Sequence, residues 1–207
     1  HLLAVTTPVL WVLVGVVRFA DDQSTRVHLD ISIERCELLQ HWRMAFTIRE
    51  PLAAEASAIA DIHVATWKEA YSELLPEDYF SEEYVAGRHR MWQHVLTHPR
   101  DDVVVHEAEA DGEIVGFAWA GPGEGVDAEE PPRDRLLYAI YVLAVHYGTG
   151  AGQALLDDTL GDGPAMLWVA KENPRATAFY IRNGFRFDVV EQVDPHAPLI
   201  TDARMVR

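Results

Sequence analysis

The sequence predicts an α+β domain, antiparallel strands flanked by helices. Three observations carry this prediction. Val103–Ala108 and Ile114–Ala120 read as strands joined by Asp111-Gly112, a dipeptide that tolerates the positive φ angles of a tight hairpin. Ile59, Ile62, Thr66, Trp67, Ala70, Tyr71 and Leu74 recur at three- and four-residue spacing, the period of an amphipathic helix. From residue 103 onward the order is strand, strand, strand, glycine-rich turn, helix, strand, helix, strand.

The elements follow in chain order. Residues 1–43 form an extension before a domain covering 44–207. Leu2–Val17 is almost wholly apolar but too short for the roughly 20 residues of a membrane helix. It also lacks the basic residues that open a secretory signal. Val27, Leu29, Ile31 and Ile33 alternate with polar residues, as in a half-buried strand. Two readings fit this extension: a hairpin of Val9–Phe19 with Arg26–Cys36, or non-native sequence upstream of a true start at Met44. Phe46 and Ile48 then mark a short strand closed by Pro51. Leu75-Pro76-Glu77-Asp78 ends the first helix, and a second covers Glu82–Leu96. Gly121–Pro132, rich in Gly, Pro and acids, is a loop. Leu136–Val145 is apolar enough for a central strand buried on both faces. A helix over Gly150–Leu160 stops at Gly161-Asp162-Gly163-Pro164, and a strand covers Met166–Val169. Pro174 opens the next helix at its first turn, and Gly184 ends it before a strand at Phe185–Val190.

Charge narrows the function. Lys and Arg number 17 against 33 Asp and Glu, a formal net charge of −16. Such a chain is repelled by phosphate backbones and anionic lipid, so neither nucleic acid nor a membrane is expected as a partner. An anionic ligand needs a local binding device, while a cationic one is drawn in. The lone Cys36 forms no internal disulfide and no zinc cluster, which fits a reducing cytoplasm. His94 and His98 lie four apart with His89 near, but no carboxylate stands at matching spacing, so no metal is expected. The absence of Gly-x-Ser-x-Gly excludes a serine hydrolase of that type.

The anion device is the turn Gly148-Thr149-Gly150-Ala151-Gly152, which runs from a strand into a helix. Glycines let the backbone take positive φ and come close to a ligand, and the helix N-terminus adds roughly half a positive charge. A Walker loop needs Lys and Ser or Thr after its last glycine; here Gln153-Ala154 follows. A dinucleotide fold needs more chain after Gly152 than remains, and parallel strands before it.

Leu137-Tyr138-Ala139-Ile140-Tyr141-Val142, then Gly148-Thr149-Gly150-Ala151-Gly152-Gln153, then Asn173-Pro174-Arg175-Ala176-Thr177-Ala178-Phe179-Tyr180-Ile181-Arg182-Asn183-Gly184-Phe185 together resemble the GNAT superfamily of acetyl-CoA-dependent N-acetyltransferases. The resemblance spans Phe46 to Phe187. It implies a mixed, mostly antiparallel sheet flanked by helices and splayed between its fourth and fifth strands, with acetyl-CoA as acetyl donor in the gap. By position it assigns Ile140, Tyr141 and Val142 to the cofactor-binding strand and Gly148, Thr149, Gly150, Ala151, Gly152 and Gln153 to the pyrophosphate loop. It sets Asn173 beside the pantetheine arm and Tyr180 as the acid that protonates the leaving sulfur. The Val142 N–H is the candidate for polarising the thioester carbonyl. Tyr147 stands where the family has Gln or Arg, and Ala144 where it commonly has Pro.

No carboxylate occurs in Leu136–Val145, so no base is assigned. Tyr138 and Tyr141 are candidates for a water relay; Glu73, Glu77 and Asp78 fit either an amine-orienting role or a solvated acidic turn. Arg175 and Arg182 could meet the cofactor's 3′-phosphate. The expected reaction is acetyl transfer in a ternary complex to a primary amine of a small molecule or a peptide N-terminus. The alternative is a non-catalytic acyl-CoA sensor of the same fold. Dimers are common in the resembled family, so a homodimer is among the expected partners.

Overall fold

The computed structural model describes residues 46–126, 130–193 and 197–207, and the readings placed on residues 1–43 and Cys36 lie outside them. The elements are β1 (Thr47–Arg49), α1 (Ala56–Tyr71), α2 (Glu82–Thr97), β2 (Val104–Ala110), β3 (Glu113–Pro122), β4 (Arg135–Val142), α3 (Ala151–Leu160), β5 (Met166–Ala170), α4 (Pro174–Arg182), β6 (Arg186–Val193) and β7 (Thr201–Val206). Short 3-10 turns precede α1 at Ala53–Glu55 and follow β4 at Ala144–His146. Among the described residues no helix is long and apolar enough to cross a membrane.

The strands form one sheet in the order β1-β2-β3-β4-β5-β7-β6. Only β4 and β5 run parallel; the other neighbours are antiparallel. Asp111 and Gly112 take φ of 52° and 84°, the paired positive angles that let β2 turn back tightly into β3. One face of the sheet carries α1 and α2, with Ile59, Trp92, Phe117 and Ala139 in the core between them. The other carries α3 and α4: Leu156 and Tyr180 pack with Leu137, Leu167, Val169 and Met205.

β4 departs from its expected form. It ends at Val142, and the Val145 expected within the strand belongs to the 3-10 turn. Its residues are not buried on both faces throughout, since Ile140, Tyr141 and Val142 are only half-buried. The cause is the pairing. β5 meets β4 only at Leu136↔Met166 and Leu137↔Leu167, after which the strands part. Opposite β3 the register passes from Trp119↔Ala139 to Ala120↔Leu137, so Tyr138 is an extra residue in β4. A bulge of this kind bends its strand and raises its twist, which turns β4 away from β5 just where pairing stops.

β7 was not foreseen. It enters between β5 and β6, with Ala203 and Met205 buried and Asp202 and Arg204 on the opposite side. Thr201-Asp202-Ala203-Arg204-Met205-Val206 does alternate, but two of its inward residues are small or flexible rather than β-branched, so the strand signal is weak.

Candidate active site

The parting of β4 and β5 opens a cleft of about 610 Å³ that runs through the sheet. It falls within the usual 300–1,000 Å³ of small-molecule sites. Ile140, Tyr141, Val142, Gly148, Gly150, Gly152, Gln153, Asn173 and Tyr180 all line it. Thr149 and Ala151 do not. The Thr149 hydroxyl donates back to the His146 carbonyl at 2.6 Å, and the Ala151 methyl is buried in the core beneath α3.

Strand geometry fixes which main-chain groups face the gap. The Leu143 N–H donates to the Val115 carbonyl of β3 at 2.9 Å. Alternation along an antiparallel pair therefore points the N–H groups of Val142 and Ile140 away from β3, toward the side β5 has left.

At the α3 end, Gly148 and Gly150 take φ of 76° and 104°, and a Cβ at either would meet nothing within 4 Å. Their role is conformational freedom, not close packing. Gly150 is the N-cap of α3, no side chain caps the helix, and no acid sits in its first turn. The N–H groups of Ala151, Gly152 and Gln153 therefore lack intrahelical partners and carry the positive end of the helix dipole. Arg175 of α4 lies over the Tyr147 ring, its guanidinium carbon 3.1 Å from the centroid. The loop position that departs from the family pattern thus still has a cation beside it, supplied from another element.

Tyr180 is buried and lines the cleft. Burial pushes its phenol well above the usual tyrosine range, so the group stays protonated. Tyr141 is different: its hydroxyl accepts from Trp67 Nε1 at 3.0 Å, and burial likewise raises it. Asn173 is fully engaged. Its Oδ1 accepts from the Ala176 N–H as the N-cap of α4, and its Nδ2 donates to the Tyr71 hydroxyl at 3.2 Å across the gap.

Trp67 and Tyr71 of α1 also line the cleft, together with residues that the sequence did not single out for it: Trp168 from β5, Asp202 from β7, and His146, whose Nδ1 is buried without a partner among the described residues. Asp202 had no signal because its strand was not recognised. Glu73, Glu77 and Asp78 are exposed in the turn after α1 and do not line the cleft. His94 and His98 stack ring to ring at 4.5 Å, while His89 pairs with Asp61 at 3.0 Å. No group of three or more potential metal ligands converges among the described residues.

A family model described as Acetyltransferase (GNAT) family matches residues 59–185. The chain is 31% identical to an uncharacterized N-acetyltransferase, YuaI, of Bacillus subtilis, over 62% of this chain and 73% of that protein. It is 34% identical to an uncharacterized N-acetyltransferase of Mycobacterium bovis over 45% of this chain and 58% of that one, so it spans less than two thirds of this second relative. Among solved structures, it shares its fold with the PaiA N-acetyltransferase of Thermoplasma acidophilum in complex with coenzyme A, at TM-score 0.61 and 19% identity, covering 79% of this chain and 99% of that one. A sheet parted between β4 and β5, a glycine turn opening α3 and the matched span from residue 59 to 185 agree on one conclusion: the chain belongs to the GNAT family of acetyltransferases.

Proposed function

We propose that the protein transfers the acetyl group of acetyl-CoA to a primary amine, both reactants being held together in the cleft. The observation that carries the reading is Tyr180, a buried side chain that lines the gap where β4 and β5 part. The residues fit the donor: an uncapped α3 N-terminus for the diphosphate and free strand N–H groups for the pantetheine arm. The structure of the Thermoplasma protein with coenzyme A supports the same choice of ligand. Bound acetyl-CoA supplies a thioester, whose carbonyl carbon bonds to the amine nitrogen as its bond to sulfur breaks.

The chain's own groups do the rest. The N–H donors of Ala151, Gly152 and Gln153 hold the diphosphate, and Arg175 on Tyr147 adds a cation at the same loop. The Val142 N–H, turned toward the gap, stabilises the negative charge that builds on the carbonyl oxygen. Tyr180 gives its proton to the departing sulfur and is restored by solvent. An alkylammonium sheds one proton before attack and a second as the amide forms, both passing to solvent. Fixing both reactants in one cleft removes much of the entropic barrier.

The test is Tyr180→Phe. Thiol release from acetyl-CoA in the presence of an amine is expected to fall roughly 10²-fold or more in kcat, within the range for loss of a general acid. Acetyl-CoA affinity by calorimetry is expected to stay within about threefold of wild type. Unchanged turnover favours the acyl-CoA sensor and defeats the catalytic reading.

A further inference from the structure

The end of β4 is held on one side only. β5 has parted from it, and its last pairing with β3 is Gly116↔Val142, followed by the bond from the Leu143 N–H to the Val115 carbonyl. The two strands are close there: a Cβ at Gly116 would stand 2.6 Å from the Tyr141 carbonyl oxygen and 3.1 Å from the Val142 Cα. The chain then enters the 3-10 turn, in which the His146 N–H donates to the Leu143 carbonyl and the Tyr147 N–H to that of Ala144. The first N–H of such a turn, that of Ala144, finds no acceptor inside it. Glu69 of α1 supplies one from outside, its Oε2 accepting from the Ala144 N–H at 3.1 Å.

Glu69 holds this place against two charges. It stands in the last turn of α1, at the negative end of the helix dipole, where an acid is unfavourable. Its carboxylate also reaches the loop that receives a diphosphate, because burial first, and the Glu69 charge with it, push the Tyr147 phenol up against the pull of Arg175. The adjacent cation, Lys68, lies over the Phe80 ring. A residue that breaks its local electrostatic rule points to a role elsewhere in the fold.

We infer that Glu69 is a positioning residue for acetyl transfer: by fixing the turn after β4 it keeps the Val142 N–H aimed at the thioester carbonyl. This rests on the acetyl-transfer reading above and deepens it. Neither Glu69 nor Ala144 lines the cleft, so the pair acts through the backbone between Ala144 and Val142 and not on either reactant. An oxyanion donor is worth most when its direction is fixed before the charge develops. With β5 gone, the ladder bonds to β3 restrain the strand end from one side, and the Glu69 bond restrains it from α1.

The bond can be removed without removing the turn. Leu143 has ψ of 141°, in the range favoured before a proline, and Ala144 is the first residue of the turn, where a missing N–H costs no internal bond. Ala144→Pro therefore deletes the donor and keeps the turn stiff.

A double-mutant cycle on the purified full chain decides the matter, read as thiol release from acetyl-CoA with phenethylamine, spermidine, phenylalanine amide and a tripeptide. With the fastest of these amines, Glu69→Ala is expected to lower kcat about fivefold, the scale of one net hydrogen bond. The amine KM should stay within twofold, and coenzyme A affinity by calorimetry should be unchanged or tighter, since a negative charge has left the loop. Glu69→Gln keeps an acceptor oxygen and should restore kcat to within twofold. On an Ala144→Pro background, itself within twofold of wild type, Glu69→Ala should change kcat by less than twofold. An unchanged kcat in Glu69→Ala, a loss that persists in Glu69→Gln or on the proline background, or weakened coenzyme A binding each overturns the positioning role while turnover still stands. If Ala144→Pro does not fold, the alanine and glutamine variants decide. No thiol release from the wild type with any of the four amines overturns the acetyl-transfer reading itself, and this inference with it.

Discussion

At the α3 end of the cleft the groups offered to a ligand are main-chain N–H donors set by two glycines, whereas at the α1 end they are side chains gathered from α1, β5 and β7. The first end needs only local backbone geometry: a turn that takes positive φ and a helix that starts without a cap. The second exists only once the sheet has assembled, because Trp67, Trp168 and Asp202 are far apart in the chain. The two ends should therefore fail differently. Damage to the donor end should be local and confined to acetyl-CoA, while damage to the acceptor end should be coupled to the packing beneath α1.

The largest expected effect tests the first half of that statement. Gly150 has φ of 104°, and a Cβ there meets no neighbour within 4 Å, so any penalty for a side chain comes from backbone strain and not from a clash. Gly150→Val places a β-branched residue in a region that costs about 1–3 kcal/mol. The loop is expected to relax toward negative φ and swing the α3 N–H donors off the diphosphate. Coenzyme A affinity by calorimetry should weaken at least tenfold, while the amine KM, measured at saturating acetyl-CoA, stays within twofold. An equal loss at both ends would break the separation.

The next effect concerns what the acceptor end stands on. His63, one turn before Trp67 in α1, is buried, accepts from Trp92 Nε1 at 3.2 Å, and is driven by burial down to about 3. Glu107 of β2 lies under the same helix layer, fully buried, with Arg49 2.6 Å away. Arg49 is shared with Glu55 and Glu109, so its charge does not offset the burial, and the Glu107 carboxyl is pushed up to about 7.

Their linkage has opposite signs. The unfolded His63 takes up a proton below its ordinary 6.5 and the folded one does not, so its contribution is lost as pH falls from 6.5 toward 3. The folded Glu107 takes up a proton from pH 7 downward and the unfolded one only near 4.5, so it adds stability across that window as pH falls. Each amounts to about 2 kcal/mol between pH 7 and pH 5, and they nearly cancel. The wild type should show a nearly flat melting temperature over that range. Glu107→Gln should melt higher at pH 7 and lose several degrees by pH 5; His63→Gln should gain stability over the same interval. A flat profile in both variants would remove these two groups from the account.

The same contrast explains what could be read from the sequence. Backbone-built features leave short contiguous signatures: Asp111-Gly112 for the hairpin, the spaced glycines for the anion site, and Pro174 for the start of α4. Each acts through φ or a missing N–H, both local properties. The bulge at Tyr138 left no signature, because an extra residue in an apolar strand is visible only against its partner. Asp202 was invisible for a related reason. It sits in a strand whose inward residues are Ala203 and Met205, and its meaning comes from α1 across the cleft. Arg175 could be placed near the cofactor by resemblance, but its seat on Tyr147 is a tertiary fact.

The smallest expected effect comes from the one side chain that serves both ends. Asn173 caps α4, the helix that carries Tyr180, through Oδ1, and holds the Tyr71 hydroxyl of the acceptor wall through Nδ2. Asn173→Ala removes both and should cost about 1 kcal/mol, the usual worth of an N-cap, or a drop of about 2–4 °C in melting temperature. Asn173→Ser separates the roles. Its hydroxyl can still accept from the Ala176 N–H, but it is too short to reach Tyr71. The melting temperature should return in Asn173→Ser while the amine KM stays about threefold raised, as in the alanine variant. If serine restored both, Asn173 would act on the acceptor wall only by holding α4 in place, and the two ends would be more tightly linked than their separate construction implies.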